Sequence, residues 1–112
     1  MNKKISLFFA ALVASSLLVT TAMADAKAGQ KYYSKKLKIC EKNGIKNGGV
    51  FASRNDRDSW FEMNQNGKIV DQWKEICPSN VDLFTKMKKQ EVQDLYDFCW
   101  QYASDGDVPS CS

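Results

Sequence analysis

The residues of this chain that carry chemistry are four cysteines, one centrally placed methionine and two close pairs of aspartates; histidine is absent. Cys40, Cys77, Cys99 and Cys111 include no C-x-x-C pair, and without histidine they do not spell a structural zinc site. A catalytic thiol needs a lowered pKa and usually a cysteine or histidine beside it. Cys40 lies in a lysine-rich stretch that favours thiolate, but near the C-terminal end of its predicted helix, where the dipole opposes negative charge. The aspartate pairs Asp56/Asp58 and Asp94/Asp97 could mimic an acid/base couple. The first pair sits at a predicted helix start, where carboxylates complement the dipole, and the second on the polar side of the last helix. With no P-loop, histidine triad or metal motif, the chain reads as a non-enzyme.

The first residues read as an address. Lys3 and Lys4 form a positive start, residues 5–19 an apolar run, and Ala22-Met23-Ala24 an A-x-A cleavage site. Residues 1–24 are therefore expected to be a signal peptide, with a single helical domain over 25–112. No later segment is apolar enough to span a membrane. The chain reads as an exported, soluble, monomeric protein of the periplasm, with full secretion as the other destination. An even number of cysteines in an oxidising compartment predicts disulfides, and four allow three pairings.

The domain has helical spacing throughout and no run of period two. Tyr33, Leu37 and Cys40 predict an amphipathic helix over 29–42, after a loose leader at 25–28. Asn43 and Gly44 end it. Asn47, Gly48 and Gly49 read as a loop from which Phe51 enters the core. A second helix, capped by Ser53 or Asn55, carries Trp60, Phe61 and Met63 up to the stop at Asn66 and Gly67. A third carries Ile69, Trp73 and Ile76 and closes at Cys77-Pro78, since a residue before proline leaves the helical region. A fourth extends from Ser79 or Asn80 to about Ala103, with a polar stretch at 86–90 that marks a break. The fold class is all-α, about four helices, stapled by disulfides.

Charge is balanced overall but unevenly placed. The chain carries +3, which falls to +1 once Lys3 and Lys4 leave with the signal, too little to argue for nucleic acid. Lys27, Lys31, Lys35, Lys36, Lys38, Lys42, Lys46 and Arg54 crowd the first part of the domain, whereas Glu91, Asp94, Asp97, Asp105 and Asp107 hold the end without a base. Such faces attract each other within a fold or dock a partner. Lys31, Lys35, Lys38, Arg54 and Arg57 are the candidate partner surface, with an aromatic/basic segment over 54–60.

Gly29 and Tyr33, followed by Leu37 and Cys40-Glu41, then Cys77-Pro78 and finally Leu95 and Phe98, form a pattern that resembles the class I cytochromes c. In that family the first helix carries glycine, an aromatic, two haem-attaching cysteines and an iron-ligating histidine. Here Leu37 stands for the first cysteine and Glu41 for the histidine. The resemblance implies a cytochrome-c-like helical bundle in which Gly29 and Tyr33 cross Leu95 and Phe98, glycine permitting the close approach. Of the three cysteine pairings, the one favoured is Cys40–Cys99, which would join those two crossing helices, with Cys77–Cys111, which would tie the tail to the Cys-Pro loop. Covalent haem needs two thiols and almost always an imidazole, so loss of haem is expected, and no cofactor. Trp60, Phe61, Trp73 and Phe98 then fill the vacated space. The resulting expectation is a non-catalytic binding or accessory protein with a periplasmic protein partner. The alternatives are an electron carrier that takes haem non-covalently through Cys40, Cys77 or Met63, and a thiol-disulfide redox protein.

Overall fold

The computed structural model describes residues 26–108, and every regular element among them is helical. The signal segment 1–24, Asp25 and Cys111 lie outside the described residues.

Helix α1 covers 26–36. Ala26 is helical and buried, so 26–28 is part of the helix rather than a leader. The periodicity over 29–42 is not one continuous helix. Leu37 N still bonds Tyr33 O at 2.9 Å, but Cys40 N then closes on Leu37 O at 3.0 Å, and the chain tightens into a 3-10 turn over Lys38–Asn43. The tighter turn keeps Cys40 buried while Lys38 and Glu41 stay outside. Gly44 ends the turn at φ 81°, a left-handed conformation that glycine enters freely.

Asn47-Gly48-Gly49 opens a helix instead of a loop. Helix α2 is Gly48–Ala52, and the Asn47 side chain accepts from Val50 N at 3.0 Å. Asparagine is a good N-cap as well as a turn former, and here the capping role wins. A Cβ at Gly48 would stand 2.8 Å from Phe98 Cζ and 3.2 Å from Tyr33 Cδ1, so this position admits no side chain without movement.

Helix α3 is Arg57–Gln65, capped by Asp56, which accepts from Ser59 N at 2.8 Å. The cap is thus neither Ser53 nor Asn55. Gly67, at φ 70°, turns the chain into α4, Ile69–Ile76. Cys77 leaves the helical region before Pro78 and leads into a short 3-10 turn, Pro78–Asn80. The last long helix is divided as its polar middle implies: α5 is Val81–Thr85 and α6 is Lys89–Gln101, with Lys88 extended between them. Glu91 accepts from Lys88 N at 2.8 Å and fixes the start of α6. The expectation of about four helices thus resolves into α1 to α6 and two 3-10 turns. Two short-range switches, at Leu37 and at 86–88, account for much of the difference.

Trp60, Trp73, Phe51, Phe84, Phe98, Leu37, Ile45 and Leu95 are fully enclosed together with Cys40, Cys77 and Cys99. No charged or polar residue is buried among the described residues. Helix α6 lies along this core against α2 and α3, while α4 packs on α5. Tyr33 sits 5.2 Å from the Phe51 ring and 6.2 Å from Phe98, in the range where aromatic pairs attract. At Gly29, α1 approaches α6 so closely that a Cβ would collide with the Asp94 carbonyl and stand 2.7 Å from Phe98 Cβ.

Candidate functional site: the disulfide clasp and the basic face

The two 3-10 turns pack against each other and hold a disulfide between Cys40 and Cys77, whose Cα atoms are 5.3 Å apart. Two hydrogen bonds flank it. Ser79 N donates to Asn43 Oδ1 at 3.2 Å, and Asn80 Nδ2 donates to Lys36 O at 3.1 Å. The second occupies a carbonyl that the end of α1 would otherwise leave without a helical partner. The clasp therefore joins the end of α1 to the end of α4.

This pairing corrects both favoured bridges. Cys40 is bonded to Cys77, which excludes Cys40–Cys99 and Cys77–Cys111, and Cys99 is a free, fully buried thiol. The favoured pairing rested on helix crossing, but it is the contact between the 3-10 turns that brings two cysteines within bonding range. Cys111 lies outside the described residues. Burial pushes the Cys99 thiol well above the ordinary cysteine range. The Trp73 indole beside it partly offsets that shift, although its N–H makes no full hydrogen bond. A protonated, enclosed thiol is a poor nucleophile.

Haem is the cofactor that the resemblance brings to mind, and the residues present do not fit it. Cys40 and Cys77 are bonded to each other inside the core, so neither sulfur can ligate iron or form a thioether while the bridge stands. Met63 is half-buried on α3 and packs against the apolar core. Trp60, Trp73 and Phe98 fill that core, and Phe61 stands outside it at 49 % exposure.

Of the candidate partner residues, Lys31, Lys35, Lys38 and Arg54 are exposed. Among the described residues the one ion pair within 4.0 Å is Arg57 with Asp107. Arg57 has a different role. Its Nε donates to Trp100 O at 2.9 Å and its Nη2 to Gln101 O at 3.1 Å, while the guanidinium lies 4.0 Å from the Trp100 ring centre. It closes the C-terminal end of α6 and is committed to the fold. Nor is 54–60 an aromatic surface: Trp60 is fully buried and donates Nε1 to Ala52 O at 2.8 Å. The carbonyls that Arg57 meets lie more than forty positions along the chain, beyond the reach of any local spacing signal.

Three of the four paired aspartates hold local hydrogen bonds, and Asp58 lies exposed in the first turn of α3. Hydrogen bonds from Ser59 hold the Asp56 carboxyl below its usual range. Asp94 accepts from Gln90 Nε2 at 2.9 Å and Asp97 from Gln93 Nε2 at 3.0 Å. Among the described residues no group of three His, Cys, Asp or Glu could hold a metal ion, and no helix is long and apolar enough to cross a membrane.

Neither a protein-family model, nor a curated protein, nor a solved structure matches this chain.

Proposed function

We propose that this is a haem-less, exported helical protein that binds an acidic protein partner through the basic face of α1 and the following 3-10 turn. The observation that carries this reading is the state of Lys31, Lys35 and Lys38. All three are exposed, and none has an ion-pair partner among the described residues. Arg54 adds a fourth cation without an ion-pair partner among the described residues; Arg57 is engaged by the end of α6 and is left out of the proposed face. Exposed lysines of one sign steer encounter with an oppositely charged partner and make association sensitive to salt. The closed Cys40–Cys77 bridge supports a structural role for these sulfurs rather than haem ligation or thiol exchange.

The test is affinity capture from a periplasmic extract with the wild-type protein and with Lys31→Glu/Lys35→Glu/Lys38→Glu. A reproducible partner that the wild type retains at low salt and the triple variant loses is the expected result. Equal capture by both proteins, or no reproducible partner, would remove the reading. The visible spectrum of the exported protein, with and without added hemin, tests the haem-less part: no saturable Soret band is expected.

A further inference from the structure

Beside the clasp, on the surface between α1, the 3-10 turn and α2, lies a cleft of about 150 Å³ lined by Tyr33, Ser34, Lys38, Glu41, Lys46 and Asn47, with Gly48 at its edge. That is roughly five water volumes at ~30 Å³ each, room for a small metabolite but not for a large one.

Its charges are arranged unusually. Lys38 and Glu41 are three residues apart on one turn, a spacing that commonly produces an ion pair, and Lys46 lines the same cleft. None of these opposite charges meets another within 4.0 Å. Tyr33 adds a hydroxyl. Its ring is locked between Phe51 and Phe98 and the residue lines the cleft, and its oxygen makes no hydrogen bond among the described residues. Burial, reinforced by Glu41, pushes the Tyr33 pKa up to about 12, so the group remains an O–H donor at neutral pH. The cleft thus offers two ammonium groups, a phenolic donor and one carboxylate, none of them paired with another described residue.

An anion would satisfy the cations but be repelled by Glu41, and a cation would face the reverse. A molecule carrying both charges on adjacent carbons satisfies the whole set. We propose that this cleft binds a small α-amino acid, its carboxylate held between Lys38, Lys46 and the Tyr33 hydroxyl and its ammonium group directed to Glu41. Such a site adjoins the docking face and shares Lys38 with it.

The exported, disulfide-closed protein is labelled with ¹⁵N and titrated with L-alanine, sodium acetate and methylammonium chloride at constant ionic strength. L-Alanine is expected to give saturable amide shifts at Tyr33, Ser34 and Gly48, and the single-charge probes to bind about tenfold more weakly or less. Glu41→Gln should bring alanine down to the level of acetate. Tyr33→Phe, which keeps the packed ring, should weaken alanine severalfold without changing the rest of the spectrum. Absence of saturable shifts with alanine overturns the proposal. So does equal binding of acetate and alanine that ignores Glu41→Gln, which would mean simple anion attraction to surface lysines. Both variants leave Lys31, Lys35 and Lys38 in place, so failure here and failure of partner capture are independent results.

Discussion

Arg57 lies across the Trp100 ring at 4.0 Å while its Nε donates to the Trp100 carbonyl at 2.9 Å, so one side chain grips both the ring and the backbone of one residue. The same guanidinium reaches Gln101 O, and Asp105 Oδ1 accepts from the Arg57 backbone N–H at 2.9 Å. Cations at a helix C-terminus complement its dipole, and Arg can bond two carbonyls where Lys bonds as a point charge. Arg57→Ala is expected to cost about 1–2 kcal/mol of folding stability. Arg57→Lys should recover less than half of that. Urea unfolding of the three proteins measures both. Partner capture by Arg57→Ala should be unchanged at a temperature where it is folded.

Gly29→Ala is the sharpest test of the contact between α1 and α6. Helix propensity alone favours alanine by ~1 kcal/mol. The Cβ would meet the Asp94 carbonyl and Phe98 Cβ, and backbone cannot step aside as a flexible side chain can. Overpacking of this kind costs typically 1–3 kcal/mol. A net loss of stability is expected from thermal unfolding, and a gain would mean that the helices do not approach as described.

The clasp should dominate the thermal stability of so small a chain. Closing a loop between residues 37 positions apart stabilises by roughly 2–4 kcal/mol. Cys40→Ser/Cys77→Ser should lower the unfolding midpoint, and a reductant should do the same to the wild type but not to the variant. Mass spectrometry of the native protein after alkylation should find Cys99 unlabelled, and after denaturation labelled.

Stability should fall on the alkaline side. Burial raises the Cys99 thiol, and burial likewise raises Tyr32 and Tyr33, each to about 12, and Tyr96. These groups keep their protons when folded and lose them more readily when unfolded, so above ~8.5 for cysteine and ~10 for tyrosine the unfolded chain binds fewer protons. Their stabilisation is complete below those values and is lost as pH rises toward the folded pKa. Unfolding midpoints should therefore hold up to about pH 8.5 and then decline, by at most ~1.4 kcal/mol per pH unit for each group. Cys99→Ala should flatten the first part of the decline and leave the tyrosine part.

The all-helical class was legible because apolar residues recur at helical spacing and because Gly67, Cys77-Pro78 and the polar 86–90 stretch punctuate it. The structure places breaks at all three. What spacing did not carry was contact across distance. A 3-10 turn keeps Cys40 on the apolar side just as an α-turn would, so the change of helix type after Leu37 leaves no trace in the pattern. Asn47 and Asp56 each suit a turn or a cap, and their neighbours in space decide between the two. Pairing of the cysteines follows from two 3-10 turns that meet, neither of which periodicity reveals. On the surface, exposed lysines were readable from composition, whereas Arg57 and Trp60 looked equally available until their carbonyl partners were located.

The Cys40–Cys77 bridge also makes a covalent ring of the chain between those residues, and α2, α3 and α4 all lie within it, while α1, α5 and α6 lie outside. A protease that cuts the ring once at its exposed Asn66-Gly67 corner produces no free fragment: the mass rises by one water and the molecule stays in one piece. Only the combination of that nick with a reductant separates the N-terminal half from the rest. The clasp thereby turns a severing cut at that corner into a tolerated one.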